Sequence, residues 1–326
     1  MRNNGNLNKA KAAKNDEFYT RLEDIEKELK HYTEHFKGKV VYCNCDDARE
    51  SNFFKYFSLS FEFLGLKKLI ATGYKENGKG VALAYEGDKN GSRNMDDEEI
   101  SVTELNGNGD FRSEECIEFL KEADIVVTNP PFSLFREYVA QLMQYGKKFL
   151  IIGNGNAVTY KEIFPYIKDN KMWIGASKGM GGKAMEFVVD EKFYDATKGT
   201  VNKIENGKCY VGVMMCCWFT NLEHNKRNEE LILYKHYNPT EYPKYDNYDA
   251  IEVSKVAEIP MGYEGICGVP ISFLDKYCPN QFRILDARDI ALHNKQRNKS
   301  TYLIKDADGT INGKATYARI CIQKIN

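Results

Sequence analysis

The first two-thirds of the chain alternate strand-like and helix-like segments, and this alternation limits the fold more than any other feature. Strands are predicted at KVVYCNC, KKLIATG, EISVTEL, DIVVT and KKFLIIGN. Helices are predicted at EFYTRLEDIEKELKHYTEHF, EECIEFLKEA and SLFREYVAQLMQYG, the last with Ser133 as its N-cap. The run IVV has continuous β-branched residues, typical of a strand covered on both faces. The pattern predicts an α/β fold with a doubly wound, mostly parallel, Rossmann-like sheet.

The pattern changes in the second half of the chain. KAMEFVVD and KCYVGVMMCCWFTNL are strand-like and have no helical segment between them, which predicts an antiparallel strand pair that closes the sheet. From Leu222 onward the chain is rich in Tyr, Asn, Lys and Pro, with short strand-like pieces such as FRILD and ARICIQ. We therefore expect a larger domain over residues 1–221 and a smaller C-terminal region over residues 222–326.

The charge of the chain is nearly balanced. There are 46 Lys and Arg residues against 47 Asp and Glu residues, so any site for a polyanion must be a local patch. Two basic segments without acidic residues are candidates, with a disordered terminus and a solvated loop as the alternatives. Their basic residues are Arg2, Lys9, Lys11 and Lys14 in residues 1–15, and Lys295, Arg297, Lys299 and Lys305 in residues 291–305.

The nine cysteines lie on apolar or strand-like runs, and their odd number indicates reduced thiols in a cytoplasmic protein. Cys43 and Cys45 lack the spacing and the second Cys/His pair of a structural zinc site, so we predict no metal. No segment reaches the roughly 20 apolar residues that span a bilayer. A soluble, cytoplasmic protein is expected.

Two prolines follow the strand DIVVT, in the sequence Asn129-Pro130-Pro131-Phe132, although proline cannot donate to a strand ladder. One interpretation is that the strand simply ends in a turn. The other interpretation is that the prolines hold two hydrogen-bond acceptors in place. Asn129 offers a side-chain carbonyl and Pro130 a main-chain carbonyl, and each residue is restrained to extended geometry by the proline that follows it. Two fixed acceptors can draw the N–H bonds of an exocyclic amine out of plane and direct its lone pair at a methyl group. Phe132 offers a ring on which a planar base can stack.

One further segment suits an adenosine-containing ligand, and a second carries two aromatic residues. In GNGDFRS, Asp110 can accept a hydrogen bond from the exocyclic amine of a bound adenosine while Phe111 packs on its ring. In NDEFYT, Phe18 and Tyr19 stand at the start of a predicted helix, where ordinary core packing is the alternative. Trp218 and Phe219 end an apolar strand and can form a wall of a base pocket, with a position in the core as the alternative for Trp218.

The segments NDEFYT, CNCDDARESNFFKYF, GNGDF, TNPPF and CCWFTNL occur in the order seen in adenine-N6 DNA methyltransferases. Over nearly its whole length the chain resembles the EcoRI-type modification methylases. The resemblance implies an S-adenosylmethionine-dependent catalytic domain over residues 1–221 and a DNA-recognition region over residues 222–326. It implies that the cofactor is surrounded by Phe18, Tyr19, Cys45, Asp46, Asp47, Asn52, Asp110, Phe111 and Asn129. The target adenine is then held by Asn129, Pro130, Pro131 and Phe132.

The first predicted loop departs from this pattern in two ways. Most such enzymes have a glycine-rich turn after the first strand, whereas CNCDDARES contains no glycine. EcoRI-type enzymes usually have a proline after CNCDD, whereas this chain has Ala48. Either Asp46 or Asp47 can pair with the ammonium group of the cofactor, and the sequence leaves this choice open.

The resemblance also implies a partner, which is double-stranded DNA with its adenine flipped out. We expect a monomer that acts alone or beside a separate restriction endonuclease, with GAATTC as the first site to test. The loop ASKGMGGKAM and the C-terminal region are predicted to read the sequence, and the basic segments to contact phosphates. The alternatives are an RNA-base or protein glutamine-N5 methyltransferase, and a non-catalytic DNA-binding protein on a methylase fold.

Overall fold

The structure is a computed structural model, and it describes residues 19–91, 97–177, 179–189, 191, 194, 202–286, 303–304 and 309–325. Its helices are α1 (Leu22–Leu29), α2 (Asn52–Leu59), α3 (Phe61–Leu64), α4 (Glu114–Glu122), α5 (Phe135–Gln144) and α6 (Phe164–Lys168). Its strands are β1 (Tyr19–Thr20), β2 (Val40–Cys43), β3 (Lys68–Gly73), β4 (Val81–Tyr85), β5 (Ser101–Glu104), β6 (Ile125–Thr128), β7 (Lys148–Asn154), β8 (Trp173–Ile174), β9 (Met185–Val189), β10 (Asn202–Glu205), β11 (Lys208–Val213), β12 (Cys216–Thr220), β13 (Lys235–His236), β14 (Ala250–Glu252), β15 (Pro260–Met261), β16 (Ile266–Pro270), β17 (Phe282–Leu285), β18 (Leu303–Ile304), β19 (Thr310–Ile311), β20 (Lys314–Ala315) and β21 (Arg319–Lys324).

The chain forms two compact units. The first comprises the described parts of Met1–Gly155 and Gly182–Leu222, and the second those of Asn156–Gly181 and Glu223–Asn326. The segment 156–181 thus packs with the C-terminal region, although it precedes the expected boundary at residue 222. The assignment of separate functions to two parts of the chain stays a prediction.

Seven strands of the first unit lie in one sheet, in the order β5-β4-β3-β2-β6-β7-β12. The central strands β3, β2, β6 and β7 run parallel, and β4, β5 and β12 are antiparallel to their neighbours. Strands β2 and β6 are buried along their whole length, as expected for β-branched runs in the middle of a sheet. The predicted α/β class is confirmed.

Strand β4 is absent from the predicted elements, because its sequence VALAY is short and follows a glycine-rich stretch. Helix α2 is also missing from them. Its N-cap is Ser51, whose side-chain oxygen accepts a hydrogen bond from the backbone N–H of Phe53 (3.2 Å). Helix α4 begins in the same way, with Ser113 accepting from the backbone N–H of Cys116.

Ser133 is not an N-cap. A 3₁₀ turn over Phe132–Leu134 follows the two prolines directly, and α5 starts only at Phe135 without a side-chain cap. Pro131 has φ −55° and ψ 123°, so the chain leaves the proline pair extended and tightens in the next residues. The first predicted helix is shorter than expected as well, because Tyr19–Thr20 forms β1 and α1 begins at Leu22.

A second sheet of the first unit has the order β1-β9-β11-β10. The predicted antiparallel pairing of KAMEFVVD with KCYVGV is confirmed by β9 and β11. The pair does not close the large sheet, however. The chain turns at Met214–Met215, where Met215 has φ +57°, and only β12 after this turn joins β7.

The second unit contains a sheet with the order β14-β16-β21-β17, and β18 also pairs with β21. Inside it, the Arg319 guanidinium contacts the Glu252 carboxylate (2.9 Å), and the Tyr245 hydroxyl also donates to Glu252. All three side chains are buried, so the charges are paired where water cannot reach them.

All nine cysteines are free thiols, and eight of them are buried. No helix among the described residues is long and apolar enough to cross a membrane.

Candidate functional site

The site predicted from the sequence lies where the parallel strands of the large sheet end. In the sheet, β3 lies on one side of β2, and β6 followed by β7 lies on its other side. The strand order therefore reverses between β2 and β6. Ligands of open α/β sheets bind at such a reversal, beyond the carboxyl ends of the strands. The residues after β2 and after β6 are those that the motifs CNCDD and NPPF supply.

Asn44 joins these two strand ends. Its main-chain carbonyl accepts a hydrogen bond from the Thr128 hydroxyl, and its side-chain carbonyl accepts one from the Tyr138 hydroxyl of α5. Asn44, Thr128 and Tyr138 are all buried. Burial also raises the pKa of the Tyr138 hydroxyl well above its ordinary value, so this group stays a hydrogen-bond donor at neutral pH. The loops after β2 and β6 are therefore fixed relative to each other.

The loop after β2 makes its turn at Cys45, which has φ +75°. This left-handed conformation is the one that glycine adopts most easily, and here a cysteine adopts it. The Cys45 thiol donates to the Asn44 side-chain oxygen at 3.5 Å. Burial raises the pKa of the Cys45 thiol well above its ordinary value, which keeps it uncharged.

Asp46 and Asp47 differ sharply in their surroundings. Asp46 is partly buried, its carboxylate accepts from the Ser51 hydroxyl (3.2 Å), and desolvation raises its pKa from 3.8 to about 7. Asp47 is exposed, and its carboxylate accepts from the backbone N–H groups of Arg49 (2.9 Å) and Glu50 (3.3 Å). Asp47 therefore shapes the turn that leads into α2. Asp46 is the carboxylate that a cationic ligand would stabilise.

The loop CNCDDARES has no glycine, and glycines at the end of β3 and on neighbouring loops provide the close approach between backbone segments. A Cβ added at Gly73, the last residue of β3, would lie 2.8 Å from the backbone nitrogen of Ala48. A Cβ added at Gly109, which has φ +80°, would lie 2.2 Å from the Gly73 carbonyl oxygen, and one at Gly80 would lie 2.7 Å from the Gly109 nitrogen. These distances are too short for any side chain. The loop with GNGD thus packs against the end of β3, which in turn packs against residues 46–48.

Asp110 is partly buried and forms an ion pair with Arg112. The Arg112 guanidinium donates to both carboxylate oxygens, at 2.8 and 2.6 Å, and this contact lowers the pKa of Asp110. A carboxylate has about four acceptor positions, so Asp110 keeps capacity for another donor. Arg112 also lies 5.3 Å from the centre of the Phe111 ring.

The Phe111 ring is buried and meets the Tyr138 ring edge to face at 5.0 Å. The Gln141 side chain donates to the Phe111 carbonyl at 3.2 Å. Helix α5 therefore supports both Phe111 and the Asn44 loop through Tyr138. The Tyr138 side chain therefore contacts both the CNCDD motif, at Asn44, and the GDF motif, at Phe111.

The segment Asn129–Phe132 follows β6 directly. Asn129 and Pro130 are buried, and the Asn129 side-chain oxygen is enclosed, whereas Pro131 and Phe132 are partly exposed. The Phe132 ring stands edge to face with the buried Phe187 ring of β9, at 6.5 Å. The two carbonyl acceptors therefore lie deeper than the aromatic ring beside them.

Tyr19 and Asn52 are linked to the same region. Tyr19 lies on β1 and pairs with Val188 of β9, next to Phe187. Asn52, the first residue of α2, donates from its side chain to the Thr20 carbonyl at 2.7 Å. The loop after β2 and the strand that carries Tyr19 are thus in contact. Phe18 lies outside the described residues.

Trp218 and Phe219 are completely buried in β12. The Trp218 ring packs against Phe53 at 6.1 Å, and the Phe219 ring packs against Phe135 at 5.0 Å. The burial of Trp218 in the core agrees with the second of the two interpretations offered for it, and Phe219 lies in the core as well. The Trp218 indole N–H has no hydrogen-bond partner among the described residues.

Three features of this site escape prediction from the sequence. Asn44 and Tyr138 hold the loops together, and Arg112 occupies one side of Asp110. The spacing of Arg112 two residues after Asp110 is the only sequence signal for any of these contacts. Among the described residues, no group of His, Cys, Asp and Glu side chains is arranged to hold a metal ion.

The chain is similar in sequence to known proteins over nearly its whole length. The family model of the adenine-specific methyltransferase EcoRI matches residues 6–325. The chain is 48% identical to the type II methyltransferase M.EcoRI of Escherichia coli, over 97% of this chain and 95% of that protein. It is 40% identical to the type II methyltransferases M.MgeORF184P of Mycoplasma genitalium and M.MpnI of Mycoplasma pneumoniae, over 98% of both chains in each case. No solved structure matches the chain significantly.

These matches cover nearly the whole chain, including the loops that follow β2 and β6. The protein is therefore an enzyme that methylates DNA on adenine, and it belongs to the EcoRI-type adenine-specific DNA methyltransferases.

Proposed function

We propose that the enzyme transfers a methyl group from S-adenosylmethionine to N6 of an adenine flipped out of duplex DNA, at the carboxyl ends of β2 and β6. The observation that carries this proposal is the position of Asn129 and Pro130. They are buried directly after β6, and the cofactor candidates lie on the adjacent loop after β2. The reversal of strand order between β2 and β6 supports a doubly wound, Rossmann-like arrangement around this point.

The residues around this point fit S-adenosylmethionine. The donor carries an ammonium group, and Asp46 is a desolvated carboxylate whose pKa of about 7 would fall on contact with a cation. The donor also carries an adenosine, for which Asp110 offers a carboxylate acceptor and Phe111 an aromatic ring. We therefore assign the ammonium group to Asp46 rather than to Asp47, whose carboxylate is exposed and bonded to its own turn.

When bound, S-adenosylmethionine supplies an electrophilic methyl group. The carbonyl oxygens of Asn129 and Pro130 would then accept hydrogen bonds from the two N–H groups of the target amine. This directs the nitrogen lone pair at the methyl group, and the methylated nitrogen would lose one of its protons. Phe132, partly exposed at the edge of the site, stacks on the base. The enclosed Asn129 oxygen gives its hydrogen bond a low-dielectric setting, in which such bonds are stronger than in water.

An adenine in duplex DNA is stacked and paired, so the enzyme must extrude it at a cost of a few kcal/mol. Stacking on Phe132 and the two hydrogen bonds offset this cost. We propose that the enzyme acts as a monomer. We take GAATTC as the first target to test, because the chain is 48% identical to M.EcoRI. Sequencing of genomic DNA from a host that expresses the gene, with detection of modified bases, would report the base and its context together. Modified adenine in a fixed context supports the proposal, and unmodified DNA contradicts it.

Substrate class is tested separately with labelled S-adenosylmethionine. The purified protein is offered duplex DNA, RNA and a protein mixture, each alone and in competition. Label in N6-methyladenine of the DNA supports the proposal, whereas label in RNA or in glutamine side chains would favour the other chemistries that an Asn-Pro-Pro-Phe loop can serve. Calorimetry with the cofactor completes the test, because a non-catalytic DNA-binding protein would bind DNA without binding the methyl donor.

A further inference from the structure

A glycine-rich loop of the second unit is held from outside by three side chains. The loop follows β8 and comprises residues 175–181, of which the structure describes 175–177 and 179–181. Just before the loop, the carbonyl of Ile174 contacts the ring nitrogen Nε2 of His224 at 3.0 Å. Within the loop, the carbonyl of Ala176 accepts from the Lys226 ammonium at 2.6 Å.

Asp275 holds the other end of the loop. Its Oδ1 accepts from the backbone N–H of Met180 at 2.8 Å, and its Oδ2 accepts from the backbone N–H of Gly181 at 3.2 Å. Hydrogen bonds to a charged carboxylate are among the stronger ones in proteins. A Cβ added at Gly179 would lie only 2.4 to 2.6 Å from the Asp275 carboxyl group, so a side chain at this position would displace the carboxyl group.

The loop is thus fixed through its main chain. The Met180 side chain is buried and Gly181 is exposed, so the loop is anchored inward and presents bare backbone outward. Binding surfaces are often loops whose conformation is fixed by neighbouring side chains, because ordering them beforehand reduces the entropic cost of binding. Exposed glycine backbone also permits an approach that a side chain would block.

The cleft beside the loop has two ammonium groups against one carboxylate, and the Lys255 ammonium also contacts the Glu258 carboxylate at 3.4 Å. Asp275 lines this cleft of about 490 Å³, together with Ser254, Lys255, Ser272 and Lys276. Both lysines are exposed, and the two serines add hydroxyl donors. Ammonium and hydroxyl groups are donors that suit the phosphates of a nucleic-acid backbone.

We propose that Asp275 is a positioning residue for DNA recognition. With Lys226 and His224, it fixes residues 175–177 and 179–181 in the conformation in which their main chain contacts the target duplex, while the adjoining cleft takes up a backbone phosphate. Discrimination between target and non-target DNA then depends on a carboxylate of the second unit. This inference rests on the proposed function, because it presumes DNA as the substrate.

The test is the Asp275→Ala variant of the full chain. Its affinity for a duplex that contains the target sequence of the enzyme, measured by fluorescence anisotropy, should fall about tenfold or more. The reason is that the charge-assisted hydrogen bonds that order the loop are removed. Its affinity for a scrambled duplex should change less than about threefold, because phosphate contacts carry that binding. In methyl transfer, KM for DNA should rise more than kcat falls, and cofactor affinity should stay at the wild-type value.

Asp246 provides a matched control. Its exposed carboxylate also accepts from two consecutive backbone N–H groups, those of Asn312 (3.1 Å) and Gly313 (2.8 Å), in another turn of the same unit. Asp246→Ala should leave the ratio of target to scrambled affinity unchanged. Equal losses in the two variants, or an unchanged ratio in Asp275→Ala, would overturn the proposal.

Two glycine variants test the loop if Asp275→Ala fails to fold. Gly179→Ala pushes on the carboxyl group from the other side and should reproduce the loss of discrimination. Gly181→Ala adds a methyl group 3.8 Å from Asp275, an ordinary contact, and should weaken target binding without lowering the melting temperature. Wild-type discrimination in both glycine variants would refute the loop as a DNA contact. If the wild-type enzyme instead methylates no DNA, the proposed function itself fails.

Discussion

Replacing Asp46 with asparagine should stabilise the protein without cofactor while weakening cofactor binding. Desolvation raises the pKa of the Asp46 carboxyl from 3.8 to about 7. That difference corresponds to about 4 kcal/mol of unfavourable free energy for the ionised group in the folded protein. Because the side chain is only partly buried, solvent screening reduces this to roughly 1–3 kcal/mol. The asparagine side chain in the Asp46→Asn variant carries no charge and can still accept a hydrogen bond from Ser51.

The sign of the pH dependence follows from the raised pKa. The folded state binds a proton at Asp46 more tightly than the unfolded state does, so this group lowers stability progressively as the pH rises from about 4 to about 7. At pH 8 the Asp46→Asn variant should therefore melt several degrees above the wild type, and at pH 5 the difference should shrink. Differential scanning calorimetry without cofactor, from pH 5 to pH 8, measures the melting temperatures of the wild type and the variant.

Cofactor binding should show the opposite effect in the same variant. Removal of a carboxylate partner for the ammonium group should weaken affinity for S-adenosylmethionine about 10- to 100-fold at pH 8 in titration calorimetry. For the wild type, affinity should fall as the pH drops below about 7, because Asp46 must lose its proton to pair with the cation. Asp47→Asn is the control and should leave cofactor affinity unchanged. A lower melting temperature at pH 8 together with wild-type cofactor affinity in Asp46→Asn would refute the reasoning.

Three further changes test the surrounding structure. Gly109→Ala should destabilise the fold by about 1–3 kcal/mol in denaturant titrations, because its Cβ would meet the Gly73 carbonyl at 2.2 Å in a left-handed conformation; a wild-type midpoint would contradict the packing. Asp110→Ala should weaken cofactor affinity by about 1–3 kcal/mol and leave DNA affinity intact, whereas an unchanged cofactor affinity would place the adenosine elsewhere. Deletion of residues 1–14 should weaken binding to cognate and random duplexes equally and reduce the salt slope by about 0.9 for each phosphate that the segment neutralises; a weakening confined to the cognate site would assign base reading to the segment.

The sequence predicts the central strands of the large sheet because their β-branched runs are buried on both faces. It does not predict which sheet each later strand joins. β9, β11 and β12 all have strand-like sequences, and the separation into two sheets depends on a turn at Met215 and on pairing with distant strands. Such pairing is a property of tertiary structure rather than of local sequence.

The motifs of the candidate site are visible in the sequence, but its internal support is not. The absence of glycine in CNCDDARES reads as a departure from the family. In the structure, Cys45 adopts the left-handed conformation, and Gly73 at the end of β3 and Gly109 on another loop provide the close packing. Asn44 and Tyr138 are 94 residues apart and have no shared motif, so only the folded structure brings them together.

The central claim is that Asn129 activates the N6 amine of adenine, and methyl transfer by the Asn129→Ala variant tests it most directly. Wild type and variant are supplied with S-adenosylmethionine carrying an isotopically labelled methyl group and with duplex DNA, and the nucleosides are analysed by mass spectrometry. The account predicts label in N6-methyldeoxyadenosine for the wild type and a loss of about a hundredfold or more in turnover for the variant, with cofactor affinity retained. Label in another base, or turnover of the variant within a few-fold of wild type, would contradict it.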